Sequence, residues 1–443
     1  MADTENPGQA SAGTGAAGAT LCESTPLFSF RKQRSLGDWA MYLIGPGLLV
    51  CLADTDGASL VVAGQSGARW GYSLLPLQVA LIPVLYLAQE LTVRLGVTTQ
   101  RGLTANIRDH FGSVAAWTVC VLLLIECAFA MVSEMKGIAS VAELWGLTSA
   151  QGALLGVLVI VSVIFLFPYR QVELIGVCFG SFEIVFVVTM FMYHPSPYQV
   201  LKESFTFHAD GSYMRLIAAN IGAVIMPWML FFQQSAIVAR KLRTEDDMEE
   251  ERIHTMVGSV VSQLVMIGTL VTLASARRMG DNLESVGEVV SALAPAIGHT
   301  AAKVMVSMGF FGGSMCAAFV VSLAASWSVC EAAGRDGHYS LDVSPREAPH
   351  FYICFVSLAL IGLLFLLAGN TSMVKLSIIV EMVGAILLPF TVGCLYSLAT
   401  GEFLPEKARV NGNHKRVLAI IFTTVSIVSF GTSLCGFGET GAP

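Results

Sequence analysis

The chain has 443 residues, of which 54% are hydrophobic and only 13% charged, with a formal net charge of −7. Soluble globular domains carry about a quarter charged residues, so this composition excludes a water-soluble globule and points to a polytopic membrane protein. No nucleic-acid partner is expected, and the acidic balance says little else, because orientation in a bilayer follows Lys and Arg in short loops rather than net charge.

Residues 1–30 are rich in Gly, Ala, Ser and Thr and lack the apolar stretch of a signal peptide. The whole segment 1–38 is predicted to be a disordered cytoplasmic tail. From Trp39 to about Cys435, apolar stretches of about 20 residues follow one another, each long enough to cross a bilayer. Eleven spans are predicted, at about 39–66, 72–97, 113–145, 150–168, 171–193, 214–240, 254–276, 299–332, 350–369, 371–399 and 416–435. Residues 39–399 form the membrane core, and 400–443 add a cytoplasmic loop, the eleventh helix and a short tail. With the amino terminus in the cytoplasm, 17 of the 25 basic residues, Arg94, Arg101, Arg240 and Arg252 among them, fall on the cytoplasmic side. The carboxyl terminus is then outside, in an inner or plasma membrane.

Two spans carry signals that a continuous helix would not choose. The first contains Ala53-Asp54-Thr55-Asp56-Gly57-Ala58-Ser59, two carboxylates and a glycine within an apolar run. The sixth contains Gly222-Ala223-Val224-Ile225-Met226-Pro227-Trp228, where the proline removes a backbone hydrogen bond and crowds the preceding turn. Irregular backbone at bilayer depth is tolerated only where protein covers it or a wet cavity receives it. The two breaks are therefore expected to face each other inside the bundle. Spans one and six also hold matching places in two successive groups of five, the signature of inverted repeats around a central site.

A carboxylate at the bilayer centre costs about 2.5–3.5 kcal/mol on insertion scales. Asp54 and Asp56 cannot share one helical face, but an unwound segment lets both turn toward one cavity, where a divalent cation would compensate them. One of the pair is also a natural N-cap for the second half-helix. Glu126, Glu134, Glu183, Glu331 and Glu381 are the other acids within spans, with Lys136 and Lys375 as possible partners. Ion pairs are expected for most of these acids. Glu134 and Glu381 are singled out because their spans should line the cavity. All eight histidines fall in predicted loops or at span ends, so none is placed to relay protons at mid-membrane depth. The ten cysteines are scattered with no metal-ligand spacing and read as inert core thiols, and no cofactor is implied. No phosphate-binding loop or nucleophile elbow is present, so no enzymatic activity is expected, and a transporter built on this chain would run on ion gradients.

From Gly45-Pro46 through Gly67-Ala68-Arg69-Trp70-Gly71-Tyr72-Ser73-Leu74-Leu75, and again at Gly222–Pro227, the sequence resembles the NRAMP family of divalent-metal transporters. The resemblance implies broken helices in an inverted repeat. It places the family's metal-binding aspartate on Asp56 and its asparagine on Ser59. The thioether ligand falls on Met226, while Trp228 stands where the family has a histidine. A later family histidine falls near Gln233 or Gln234. A proton-route aspartate falls on Met131, and the matching glutamate is Glu134. The lost proton-handling groups and the additional hard oxygen of Asp54 are similar to the family's magnesium-transporter branch.

The sequence thus predicts an all-α membrane protein of about eleven transmembrane helices. Its expected architecture is a LeuT-like inverted repeat of spans 1–5 and 6–10, with helices 1 and 6 broken at the centre. The expected substrate is Mg²⁺, with Mn²⁺ also carried, uncoupled from protons. Asp54, Asp56, Ser59, Ala223 and Met226 would hold the ion, while Gly57, Trp228, Gln233, Gln234, Glu134 and Glu381 line the cavity. Besides the ion and the lipid bilayer, no obligate protein partner is implied. The rivals are a proton-coupled Mn²⁺/Fe²⁺ carrier, an organic-cation or amino-acid carrier on the same scaffold, and a membrane scaffold whose acids form static pairs.

Overall fold

A computed structural model of the protein describes residues 45–276, 283, 285–335, 341–369 and 372–438. The expected tail 1–38, Arg277, Arg278 and His338 lie outside the described residues. Every regular element among the described residues is helical. Ten helices are long and apolar enough to cross a membrane, and the bent pair α1 (Pro46–Ala53) and α2 (Gly57–Trp70) makes an eleventh candidate span. The count agrees with the sequence reading, and most ends shift by a few residues.

Both breaks fall where local chemistry puts them. Helix α1 ends at Asp54, and Asp56 takes an extended backbone at ψ 178° to cap α2, its carboxylate accepting the Ser59 N–H at 2.7 Å. The two halves bend by 52°. In span six the residue before a proline is pushed out of the helical region, and Met226 is extended at ψ 131°. Pro227 then opens the next half as its first helical residue, where its missing N–H costs nothing. The halves are Gly211–Val224 and Pro227–Ala239.

Span seven, Glu245–Ala276, packs along both halves of span one, and span eight, His299–Ala332, packs against spans three, five and nine. Span ten, Met373–Thr400, lies against the first half of span six. The contact is backbone on backbone at Gly222, where a Cβ would overlap the Glu381 carbonyl oxygen and stand 2.8 Å from its carbon.

Span seven differs from expectation. Its helix begins at Glu245, nine residues earlier than read, because a charged first turn continues the helix beyond the apolar stretch. His254 is consequently buried inside a helix rather than at a loop edge, with Nδ1 3.1 Å from Glu251. Three short helices, Leu103–Phe111, Pro197–Ser204 and Val286–Ile297, occupy stretches read as loops. The first has its open amino end covered by Glu331, which accepts the N–H groups of Thr104 at 3.1 Å and Ala105 at 3.4 Å.

Gly222→Ala should lose about 1–3 kcal/mol through overpacking. Gly431→Ala, where a Cβ meets nothing within 4 Å, should keep the wild-type stability. Thermal unfolding of the two variants in detergent checks this, and equal midpoints would show that span six does not need its close approach to span ten.

Candidate functional site

The two breaks meet. Ser59, in the first turn of α2, donates its hydroxyl to the Ala223 carbonyl at 3.3 Å, a carbonyl that Pro227 leaves without its helical partner. Asp54, Asp56, Ser59, Ala223, Met226 and Trp228 are all no more than 2% exposed. Asp56 is committed to its cap, whereas both carboxyl oxygens of Asp54 are buried without a hydrogen-bond partner.

Span three supplies Glu134, whose Oε2 accepts the Gly57 N–H at 3.2 Å and whose Oε1 has no partner. Its carboxyl faces that of Asp56. Ser314 of span eight fills the gap that Gly57 and Gly137 leave open, since a Cβ at either glycine would collide with its hydroxyl. Glu381 of span ten is buried with Oε1 unpartnered. Glu126 borders a water-sized cavity of about 10 Å³ against Pro227, Phe231 and Thr391.

The expected ion pairs of these acids are absent among the described residues: Glu126, Glu134, Glu183 and Glu381 reach no Lys, Arg or His. Lys136 instead stands 3.9 Å from Glu143 near the end of its span. Gln233 and Gln234 do not join the centre. Gln233 accepts the Thr92 hydroxyl at 2.6 Å and donates to Thr255 at 2.9 Å, and Gln234 donates to the Arg101 carbonyl at 2.8 Å. Gln233 therefore joins spans two, six and seven toward the end of the bundle at which span one begins, and Gln234 ties span six to the loop that follows span two.

Sequence reasoning missed two contributors. Thr55 makes a hydrogen bond to Glu183 of span five, and Ser314 stands beside Glu134. Glu183 was visible as an acid inside a span, but its partner lies 128 positions away. Ser314 carried no signal at all.

Among the described residues no three His, Cys, Asp or Glu side chains converge as a ready-made metal cluster. An ion held here would have one or two carboxylates, the Ser59 hydroxyl and the Ala223 carbonyl available to it, with Met226 as the one soft donor.

Residues 47–435 match the family described as natural resistance-associated macrophage protein-like, or NRAMP. The chain belongs to this family. It is similar to the divalent metal cation transporter MntH of Chromohalobacter salexigens, 26% identical over 278 residues, 60% of this chain and 64% of the relative. The chain spans less than two-thirds of the length of the curated relatives it matches. In fold it is similar to the Eremococcus coleocola manganese transporter, with a TM-score of 0.75 at 16% identity, covering 94% of this chain and 92% of that one. MhsT in complex with L-phenylalanine follows at a TM-score of 0.52 and 11% identity, covering 86% and 98%. The NRAMP chain thus has the LeuT-like arrangement expected from its two broken spans.

Cap and charge are separable at Asp56. Asp56→Asn keeps an acceptor for Ser59 and should keep wild-type stability, whereas, were the carboxylate an ion ligand, Mn²⁺ binding should fall about 100-fold. Asp56→Ala should lose the same binding and about 1 kcal/mol of stability with the cap. Calorimetric titration and thermal unfolding on both variants decide the matter, and undiminished binding by Asp56→Asn would remove the carboxylate from the site.

Proposed function

We propose that this NRAMP protein carries Mg²⁺, and also Mn²⁺, across a bacterial inner or plasma membrane by alternating access, without a coupled proton. It would belong to the magnesium-transporter branch, with the amino terminus cytoplasmic and the carboxyl terminus outside. The observation that carries the reading is the meeting of two helix breaks around Asp54 and Asp56, with no ion pair to either among the described residues and both Asp54 oxygens unpartnered.

The donor set supports a hard ion. Carboxylate, carbonyl, hydroxyl and retained water suit Mg²⁺ and Mn²⁺. Mg²⁺ dehydrates reluctantly and is usually held by one or two carboxylates rather than by a full protein cage. The lack of a three-ligand cluster among the described residues fits that habit. The buried histidine of span seven, His254, is engaged with Glu251 beside Gly45 and Gly47, at the start of span one rather than at its break. A membrane potential supplies the drive, since moving two charges through 100 mV is worth about 4.6 kcal/mol.

A second reading, a proton-coupled Mn²⁺ carrier, is favoured by Glu134, an acid placed against Asp56 and the Gly57 N–H. The soft sulfur of Met226 adds nothing for Mg²⁺ and leans the same way. A carrier of organic cations or amino acids is disfavoured by the close packing of the centre.

In proteoliposomes under a negative-inside potential, a lumenal Mg²⁺ dye should report entry while a lumenal pH dye stays flat, and Asp56→Ala should abolish the signal. Mn²⁺ entry accompanied by acidification, with Mg²⁺ excluded, would replace this reading by the proton-coupled one.

A further inference from the structure

Span five, Tyr169–Met192, is helical throughout but tightens into a 3₁₀ turn over Ser181–Ile184, and this turn carries Glu183. A tightened turn in mid-helix often marks a hinge. One face of the span runs beside half-helix α1 in steady register. A Cβ at Gly176 would come within 2.7 Å of Leu49 Cδ1, and one at Gly180 within 2.7 Å of Leu52 Cβ. One step further along both helices, Glu183 meets Thr55. The three contacts, 176 to 49, 180 to 52 and 183 to 55, form a track that ends where span one unwinds.

The last contact differs in kind from the other two. Glu183 is fully buried, its Oε2 is hydrogen-bonded to the Thr55 hydroxyl, and its Oε1 has no partner. Gly313 of span eight closes the slot from the other side, for a Cβ there would stand 2.7 Å from Glu183 Oε1 and 2.9 Å from the Thr55 carbonyl oxygen. Thr55 is the one residue between Asp54 and Asp56. Whatever fixes Thr55 fixes the spacing of the two carboxylates.

We infer that Glu183 is a positioning residue of the ion site, holding the unwound turn through Thr55 so that Asp54 and Asp56 keep the separation a divalent ion needs. The inference rests on the proposed site, but its contact is with the Thr55 hydroxyl of the turn and not with the ion. Span five thereby couples any movement of α1 along its track to the geometry of the centre.

The test uses the full-length purified protein and Mn²⁺ as the probe. Glu183→Ala should weaken Mn²⁺ binding about tenfold, the loss of one buried hydrogen bond, and Thr55→Val by at least as much, since the Thr55 hydroxyl also reaches the Leu52 carbonyl at 3.1 Å. Because Thr55→Val also removes that second bond, the double variant should bind no more weakly than Thr55→Val alone. Glu183→Gln and Thr55→Ser, which keep an acceptor and a hydroxyl, should bind within about threefold of wild type. Hydrogen exchange of the metal-free protein gives a second readout that needs no ion: amides of residues 52–59 should exchange about tenfold faster in Glu183→Ala and Thr55→Val, and not in the conservative variants. If Glu183→Gln is as weak as Glu183→Ala, the carboxylate acts by charge and the positioning role is overturned. Wild-type binding and exchange in Glu183→Ala, or additive losses in the double variant, overturn it as well. If wild type itself binds no Mn²⁺, the site assignment fails, while the exchange data still decide whether Glu183 holds the turn. Should Glu183→Ala fail to fold, the near-isosteric Thr55→Val carries the comparison alone.

Discussion

Every helix that breaks in hydrocarbon must find partners for the N–H and C=O groups it frees, at several kcal/mol for each one left bare. That requirement organises the centre of this protein. Asp56 takes the Ser59 N–H, Glu134 takes the Gly57 N–H, and Ser59 gives its hydroxyl to the Ala223 carbonyl across the bundle. The groups best able to accept backbone N–H donors are carboxylates. A break that is well satisfied is therefore also a concentration of oxygen ligands and negative charge.

The acids divide by depth. Toward the span ends they are matched to arginines: Glu90 to Arg94 at 2.7 Å and Arg252 at 2.6 Å, Glu173 to Arg240 at 2.8 Å. At the centre, Asp54, Glu126, Glu134, Glu183 and Glu381 reach no Arg, Lys or His among the described residues, and each keeps at least one buried oxygen with no partner, as one oxygen of Glu90 does at the rim. A structural acid in a low-dielectric interior would be expected to have its partner built in, as the rim acids do. A buried acid without a basic partner is neutralised by a bound cation or by keeping its own proton, and a scaffold of static pairs does not have this pattern.

The backbone features of the centre were legible because they are local. The Asp-x-Asp-Gly run and the Met-Pro step break their helices through capping and proline geometry that act within four residues, and the sequence reading placed both breaks correctly. What was not legible depends on contacts between distant segments. Glu183 looked like a candidate for an ion pair and instead holds Thr55. Gln233 and Gln234 were aligned with a ligand position, but a helix restarting at Pro227 turns them toward spans two and seven and the Arg101 loop. His254 was assigned to a span end because hydropathy stops there, whereas the helix continues through a charged turn that Glu251 ties to the Gly47 N–H at 2.5 Å.

The closure of the site on both sides follows the same economy of contacts. On one side Gln78 donates to Asn220 at 2.5 Å and Asn220 to Ser66 at 2.8 Å, joining span two to the first half of span six and the second half of span one. On the other, Thr92, Gln233 and Thr255 join span two to the second half of span six and to span seven. Span two is common to both, and all of these bonds are neutral. A neutral buried hydrogen bond contributes only about 1 kcal/mol net, so opening either side costs a few kcal/mol, within reach of the difference a bound ion makes between states. On the second side the Glu90–Arg252 ion pair at 2.6 Å also joins span two to span seven, and parting it would leave Glu90 still matched to Arg94 at 2.7 Å, so its buried charge would not be left uncompensated.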